Sequence, residues 1–137
     1  MNLKHLKELS NSLLNLKINP NDICIVGGAV LSIFNIRNHD DIDIIVLSNI
    51  RDKICPNDKA FNISKNIEIV GKNWYKYISD NELIKNNKYH FIYKNFKFIN
   101  IEIIYLKYKY SKRKKHINDF NKIKNLNLNY NFIKEYD

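Results

Sequence analysis

The chain has 137 residues, 45% of them hydrophobic, with 23 Lys or Arg against 14 acids and a formal net charge of +9. That length suits a single domain with one modest core, and the composition is that of a globular rather than a disordered protein. No apolar run approaches the roughly 18 residues of a membrane helix, and the start, Met-Asn-Leu-Lys-His-Leu-Lys-Glu-Leu, lacks the apolar stretch of a signal peptide. Cys24 and Cys55 are not spaced for a metal, and Cys24 reads as a buried free thiol. A cytoplasmic protein with no membrane partner is the expectation.

In chain order, Leu3, Leu6, Leu9, Leu13 and Leu16 recur at spacings of three and four, which predicts an amphipathic helix over 2–17. Asn19-Pro20-Asn21-Asp22 ends it as a turn. Ile23 to Val26 reads as a short buried strand, Gly27-Gly28 as a turn, and Ala29 to Ile36, apolar nearly all round, as a buried helix. Asp41 to Leu47 reads as a second strand. Ser48 to Asn66 carries no clear periodicity, although Cys55-Pro56-Asn57-Asp58 marks a turn, and Ile67 to Val70 fits a strand.

Ser79-Asp80-Asn81-Glu82 has the spacing of a capping box at the start of a short helix. Trp74, Tyr77 and Ile78, at near-helical spacing, read as core rather than as base-stacking residues. Tyr89 to Tyr93 and Phe96 to Leu106 then predict a hairpin around Lys94-Asn95, with Ile99, Ile101 and Ile103 on one face and Asn100 and Glu102 on the other. Helical spacing returns from about Lys107, with Ile117, Phe120 and Ile123. Asn125 to Asn131 reads as a low-complexity, frayed tail. The sum is one α/β (α+β) domain over 1–137, with a mixed sheet flanked by helices and a basic helical segment over 107–137.

Between Lys85 and Lys124 there are twelve Lys or Arg against two acids, Glu102 and Asp119, so the basic excess gathers in the C-terminal half. This fits a polyanionic partner such as RNA. The bland alternative is an A/T-rich coding bias, because Asn, Lys and Ile share such codons, and charge alone favours that alternative. The run Lys112, Arg113, Lys114 and Lys115 is accordingly read either as a contact for RNA or another acceptor or as a solvated face.

Asp41 and Asp43 stand two apart in an apolar run, and alternate residues of a strand share a face. Two like charges held that close repel and are costly to desolvate, so a fold gains nothing from them. Divalent cations reverse the balance, because Mg²⁺ takes hard oxygen ligands and usually completes its shell with substrate phosphates. Glu102 supplies a third carboxylate. Gly27 and Gly28 let the backbone approach a phosphate ahead of a helix start. Arg37 either reaches that phosphate or caps the end of its own helix, while His39 reads as structural and Asp40 as pointing away from its neighbours.

These residues resemble the nucleotidyltransferase superfamily typified by DNA polymerase β. The pattern runs Val26-Gly27-Gly28, twelve residues, Asp41-Ile42-Asp43-Ile44, then Ile101-Glu102-Ile103. Arg37-Asn38-His39-Asp40-Asp41-Ile42-Asp43 is similar to the Arg-x-His-x-Asp-x-Asp run of small enzymes acting on aminoglycosides and lincosamides. Arg113-Lys114-Lys115-His116-Ile117-Asn118-Asp119 resembles a helix that often follows the third carboxylate. The resemblance covers about residues 20–120.

It implies a polymerase β-like fold and transfer of a nucleoside monophosphate from an NTP such as ATP to a hydroxyl acceptor. Asp41, Asp43 and Glu102 would hold two Mg²⁺ (or Mn²⁺) ions, with Glu102 also the general base. The acceptor stays open between a small hydroxylated molecule such as an antibiotic, an RNA end, and a protein partner. The alternative is a non-catalytic module of the same fold, an antitoxin-like partner or an RNA-binding subunit.

Overall fold

The computed structural model describes residues 3–137, so the first residue of the expected 2–17 helix lies outside the described residues. The chain divides into two compact units, the first ending at Ile99 and the second spanning Asn100–Asp137. In the first unit come helix α1 (Leu6–Asn15), a 3-10 turn (Pro20–Asp22), strand β1 (Ile23–Val26), α2 (Gly28–Ile33), β2 (Ile42–Val46) and α3 (Ser48–Ile54). They are followed by β3 (Phe61–Ser64), β4 (Ile67–Ile69), α4 (Asp80–Lys85), β5 (His90–Tyr93) and β6 (Phe96–Ile99). The second unit holds α5 (Ile101–Lys109), α6 (Lys114–Ile123) and α7 (Tyr130–Tyr136). No helix among the described residues is long and apolar enough to cross a membrane.

The sheet is mixed, in the order β3-β4-β2-β1-β6-β5. β1 runs antiparallel to β2 and parallel to β6, β2 runs parallel to β4, and the outer pairs β3–β4 and β5–β6 are antiparallel. An α/β chain with a mixed six-stranded sheet is therefore the architecture. β1 and β2 are central because Ile23, Ile25, Ile42 and Ile44 have no exposed surface, and each such side chain contributes about 1.5–3 kcal/mol of burial. α2 and α4 pack against both strands, and α1 packs against β3 through the side that buries Leu9 and Leu13.

α1 and α2 stop by the same device. At the end of α1, Lys17 takes φ 57° and the Ile18 N–H reaches back to the Leu13 carbonyl at 2.9 Å. At the end of α2, Asn35 takes φ 58° and Ile36 N–H bonds the Leu31 carbonyl at 3.0 Å. Both are left-handed terminations that satisfy the last carbonyls. α2 consequently ends at Ile33, not at Ile36 as the apolar run implied.

The largest correction concerns Phe96 to Leu106. The hairpin around Lys94-Asn95 is present, with both turn residues at positive φ, but β6 ends at Ile99 and the chain turns into α5 at Ile101. Ile99, Ile101 and Ile103 alternate as a strand would, yet Ile104 breaks the alternation. Ile101, Ile104 and Tyr108, all buried, follow the spacing of a helix face. The expected helix from Lys107 is thus the end of α5, a break at Tyr110–Arg113, and α6.

Three smaller departures follow from tertiary contacts. The segment after Ser48 holds α3 and β3, which the sequence left unread. Arg51 is 4% exposed and donates to the carbonyls of Asn57, Lys59 and Val70, so a buried cation staples the loop between α3 and β3 to the end of β4. Tyr75 rather than Tyr77 enters the core, Tyr77 being 67% exposed, because residues 71–79 form turns and not a helix. The Asn-rich tail includes an ordered start to α7, where the Asn129 side chain accepts from the Phe132 N–H at 3.1 Å.

The helix start at Ser79 is as expected: its hydroxyl accepts from the Glu82 N–H at 3.1 Å. Cys24 and Cys55 are both buried free thiols, and burial pushes each up from its ordinary value.

Stability is expected to fall with acid in two steps. Burial, chiefly, holds His90 below its ordinary 6.5, its ring bonding the Leu83 carbonyl and lying near the Lys97 ammonium. The unfolded chain therefore takes up the proton first, and stability falls as pH drops below about 6.5. Burial lowers His116 in the same direction. Glu8 is held down to about 2 by hydrogen bonds from Ser64 and Asn66, so its contribution is complete above 4.5 and is lost between there and about 2. Asp80, raised by burial, opposes the second step. Melting temperature across pH 8 to 3 checks this. His90→Asn should shrink the first decline and leave the second, and an unchanged profile would overturn the assignment.

Candidate functional site

The turn after β1 is where residues of β1, α2 and β2 meet. Val26 is the register partner of Asp43, so the antiparallel pair carries the Asp43 side chain beside the residue that follows Val26. That residue is Gly27, at φ 70° and ψ −139°, a conformation closed to residues with a Cβ. A Cβ there would lie 3.2 Å from Asp43 Oδ2. Gly28 opens α2, and a Cβ on it would stand 3.1 Å from Arg37 Nη1 and 3.4 Å from the His39 Cβ. Gly27, Gly28, Arg37, His39 and Asp43 therefore occupy one small place.

The strand carries one of the two acids. Asp43 is half-buried on β2 between the buried Ile42 and Ile44. Asp41 is exposed and lies one residue ahead of the strand, which begins at Ile42 rather than at Asp41.

The loop that returns from α2 to β2 is held at several points. Ser32 Oγ donates to the Arg37 carbonyl at 2.8 Å, and Arg37 Nη1 donates to the Asn38 carbonyl at 3.1 Å. The guanidinium thus lies over the start of α2, not over the carbonyls at its end. A fixed cation beside a glycine turn, with a half-exposed carboxylate beside it, can bind a phosphate together with a divalent ion. Asp41 and Asp43 are hard oxygen donors, the kind a divalent ion takes, and Asp41 is exposed to water.

Glu102 is where the sequence reading fails. It belongs to the first turn of α5 in the second unit, not to the polar face of a strand, and its Oε2 accepts the Asn129 N–H at 3.0 Å. No group of three His, Cys, Asp or Glu side chains arranged to hold a metal ion occurs among the described residues.

Lys112, Arg113, Lys114 and Lys115 are all exposed, the first two before α6 and the others in its first turn. Their backbone is fixed by Ser111, whose hydroxyl accepts the Arg113 N–H at 3.2 Å and lies 2.8 Å from His116 Nδ1. The His116 ring stacks on Tyr108 at 4.0 Å.

Away from the glycine turn lies a cavity of about 140 Å³ that the sequence does not announce, where Arg51 and Asp80 face the same space. Asp80 is 9% exposed and accepts the N–H groups of Asn73 and Trp74 at 3.1 and 3.2 Å. Both charges are held by backbone dipoles, and both are explained by the loops they fasten. Nothing in the local sequence signals either, since their partners are brought together only by folding.

No family model, no curated protein and no solved structure matches this chain.

Proposed function

We propose that the chain is a nucleotidyltransferase of the polymerase β-like kind, binding a nucleoside triphosphate and a divalent cation at the turn after β1. The observation that carries the reading is the Asp43 carboxylate set against Gly27, with the Arg37 guanidinium over Gly28 and Asp41 at the mouth of the same strand. Asp41 and Asp43 would ligate Mg²⁺ or Mn²⁺. Such an ion, when bound, neutralises triphosphate charge and favours in-line displacement at the α-phosphorus. The residues bind and orient: Gly27 admits the phosphate chain close to the backbone, and Arg37 balances its charge. Residues 112–115 supply positive charge for an RNA acceptor, while a small hydroxylated acceptor would dispense with them.

A second reading is favoured by one observation, the engagement of Glu102 with the Asn129 N–H. In that reading the chain binds nucleotide or a partner macromolecule without transfer.

The test is transfer of label from α-labelled triphosphates, with Mg²⁺ or Mn²⁺, to total RNA, to aminoglycosides and lincosamides, and to the protein itself. The expected result is label on one class and none with Asp41→Asn. A competent nucleotide site also raises stability by mass action, by about 2.7 kcal/mol at a ligand concentration 100 times its dissociation constant. A shift in melting temperature without transfer favours the second reading, and neither shift nor transfer overturns both.

A further inference from the structure

The peptide bond that joins Asp41 to Ile42 is gripped at both of its polar atoms. Its carbonyl, on Asp41, lies 3.0 Å from His39 Nδ1. Its N–H, on Ile42, donates to the Asn66 carbonyl at 2.9 Å. Each partner is in turn held from the N-terminal region. The Lys4 N–H donates to His39 Nε2 at 2.9 Å. A nitrogen that accepts from a backbone N–H carries no proton, so the imidazole proton resides on Nδ1 and is donated to Asp41. The ring is 1% exposed, which keeps water from competing for either bond. On the other side, Glu8 in α1 accepts from the Asn66 N–H and from Asn66 Nδ2, both at 2.9 Å, and from the Ser64 hydroxyl.

Two relays therefore converge on one peptide plane: Lys4–His39–Asp41 and Glu8–Asn66–Ile42. Holding that plane fixes ψ of Asp41 and φ of Ile42, and with them the direction in which the Asp41 Cα–Cβ bond leaves the start of β2. Asp41 stands ahead of β2, where the antiparallel pairing with β1 does not reach, so the strand alone leaves its direction open.

We propose that His39, seconded by Glu8 and Asn66, is a positioning residue that sets the direction of the Asp41 carboxylate for cation binding. It touches neither cation nor nucleotide. This rests on the reading of Asp41 and Asp43 as ligands. It goes further by making the N-terminal arm and α1 part of the site.

The experiment pairs amide exchange at Ile42 with Mn²⁺ affinity, in the full chain and in His39→Ala, His39→Asn and Glu8→Gln. His39→Ala should speed Ile42 exchange at least tenfold, leave the β5–β6 hairpin amides unchanged, and weaken Mn²⁺ binding about tenfold. His39→Asn offers an amide donor where Nδ1 was and should restore most of both. Glu8→Gln retains the shape of the other relay and should show a smaller shift in the same direction, which serves if His39→Ala does not fold. Unchanged Ile42 exchange in a folded His39→Ala or Glu8→Gln protein overturns the positioning role, whatever the activity. Failure of the wild-type chain to bind Mn²⁺ overturns the ligand reading itself and the proposal with it. Faster Ile42 exchange with undiminished Mn²⁺ affinity overturns the proposal alone.

Discussion

Asp43→Asn is expected to lower nucleotidyl transfer by a factor of about a thousand or more, equivalent to about 4 kcal/mol of transition-state stabilisation, in a protein that remains folded. Asparagine is nearly isosteric, so the half-buried position between Ile42 and Ile44 keeps its packing and β2 keeps its register with Val26. The negative charge beside Gly27 is what disappears, and with it the hard donor to a divalent ion. Single-turnover transfer and the melting temperature, measured on one preparation, separate these effects. Lost transfer with a melting temperature within a few degrees of wild type is the expected pair, whereas wild-type turnover would remove Asp43 from the site.

Some of this was legible in the residues. Ile23 to Val26 is four consecutive apolar residues and could hardly be anything but a buried strand; the structure gives it those bounds. The spacing from Gly27-Gly28 to Asp43 was legible because a single antiparallel pair brings the two ends together. Glu102 was not, for a reason internal to the chain. Alternating isoleucines fit a strand until Ile104, and a buried helix also presents isoleucine on most sides, so the period was ambiguous over the stretch that decided where Glu102 points.

Longer-range dependence hid the rest. α3 has no side-chain cap and is anchored by Arg51 to carbonyls six to nineteen residues away, which no local pattern announces. His39 could be singled out only by the resemblance, because its two partners, Lys4 and Asp41, meet it on folding. The N-terminal leucine stripe predicted α1 as an element, but what α1 does for the site passes through Glu8, a charged residue outside that stripe.

Gly27→Ala should lower both stability and transfer, and it should do so in two separable ways. Its φ of 70° with ψ of −139° lies where residues with a Cβ are strained by about 1–3 kcal/mol, so the melting temperature should drop by several degrees. The added methyl would also press on Asp43 Oδ2 from 3.2 Å, displacing the carboxylate by a few tenths of an ångström. A misplacement of 1 Å can cost about a hundredfold, so a shift of a few tenths should lower transfer about tenfold beyond what instability explains.

Gly28→Ala supplies the contrast. Gly28 is helical, where alanine is favoured by about 1 kcal/mol, and its new methyl would meet the flexible end of Arg37 at 3.1 Å and the His39 Cβ at an ordinary 3.4 Å. That variant should be as stable as wild type or more so, with weaker triphosphate binding as the guanidinium shifts. Equal stability and equal transfer in Gly27→Ala and Gly28→Ala would mean that neither glycine faces a bound phosphate, and that the turn after β1 serves only to reverse the chain.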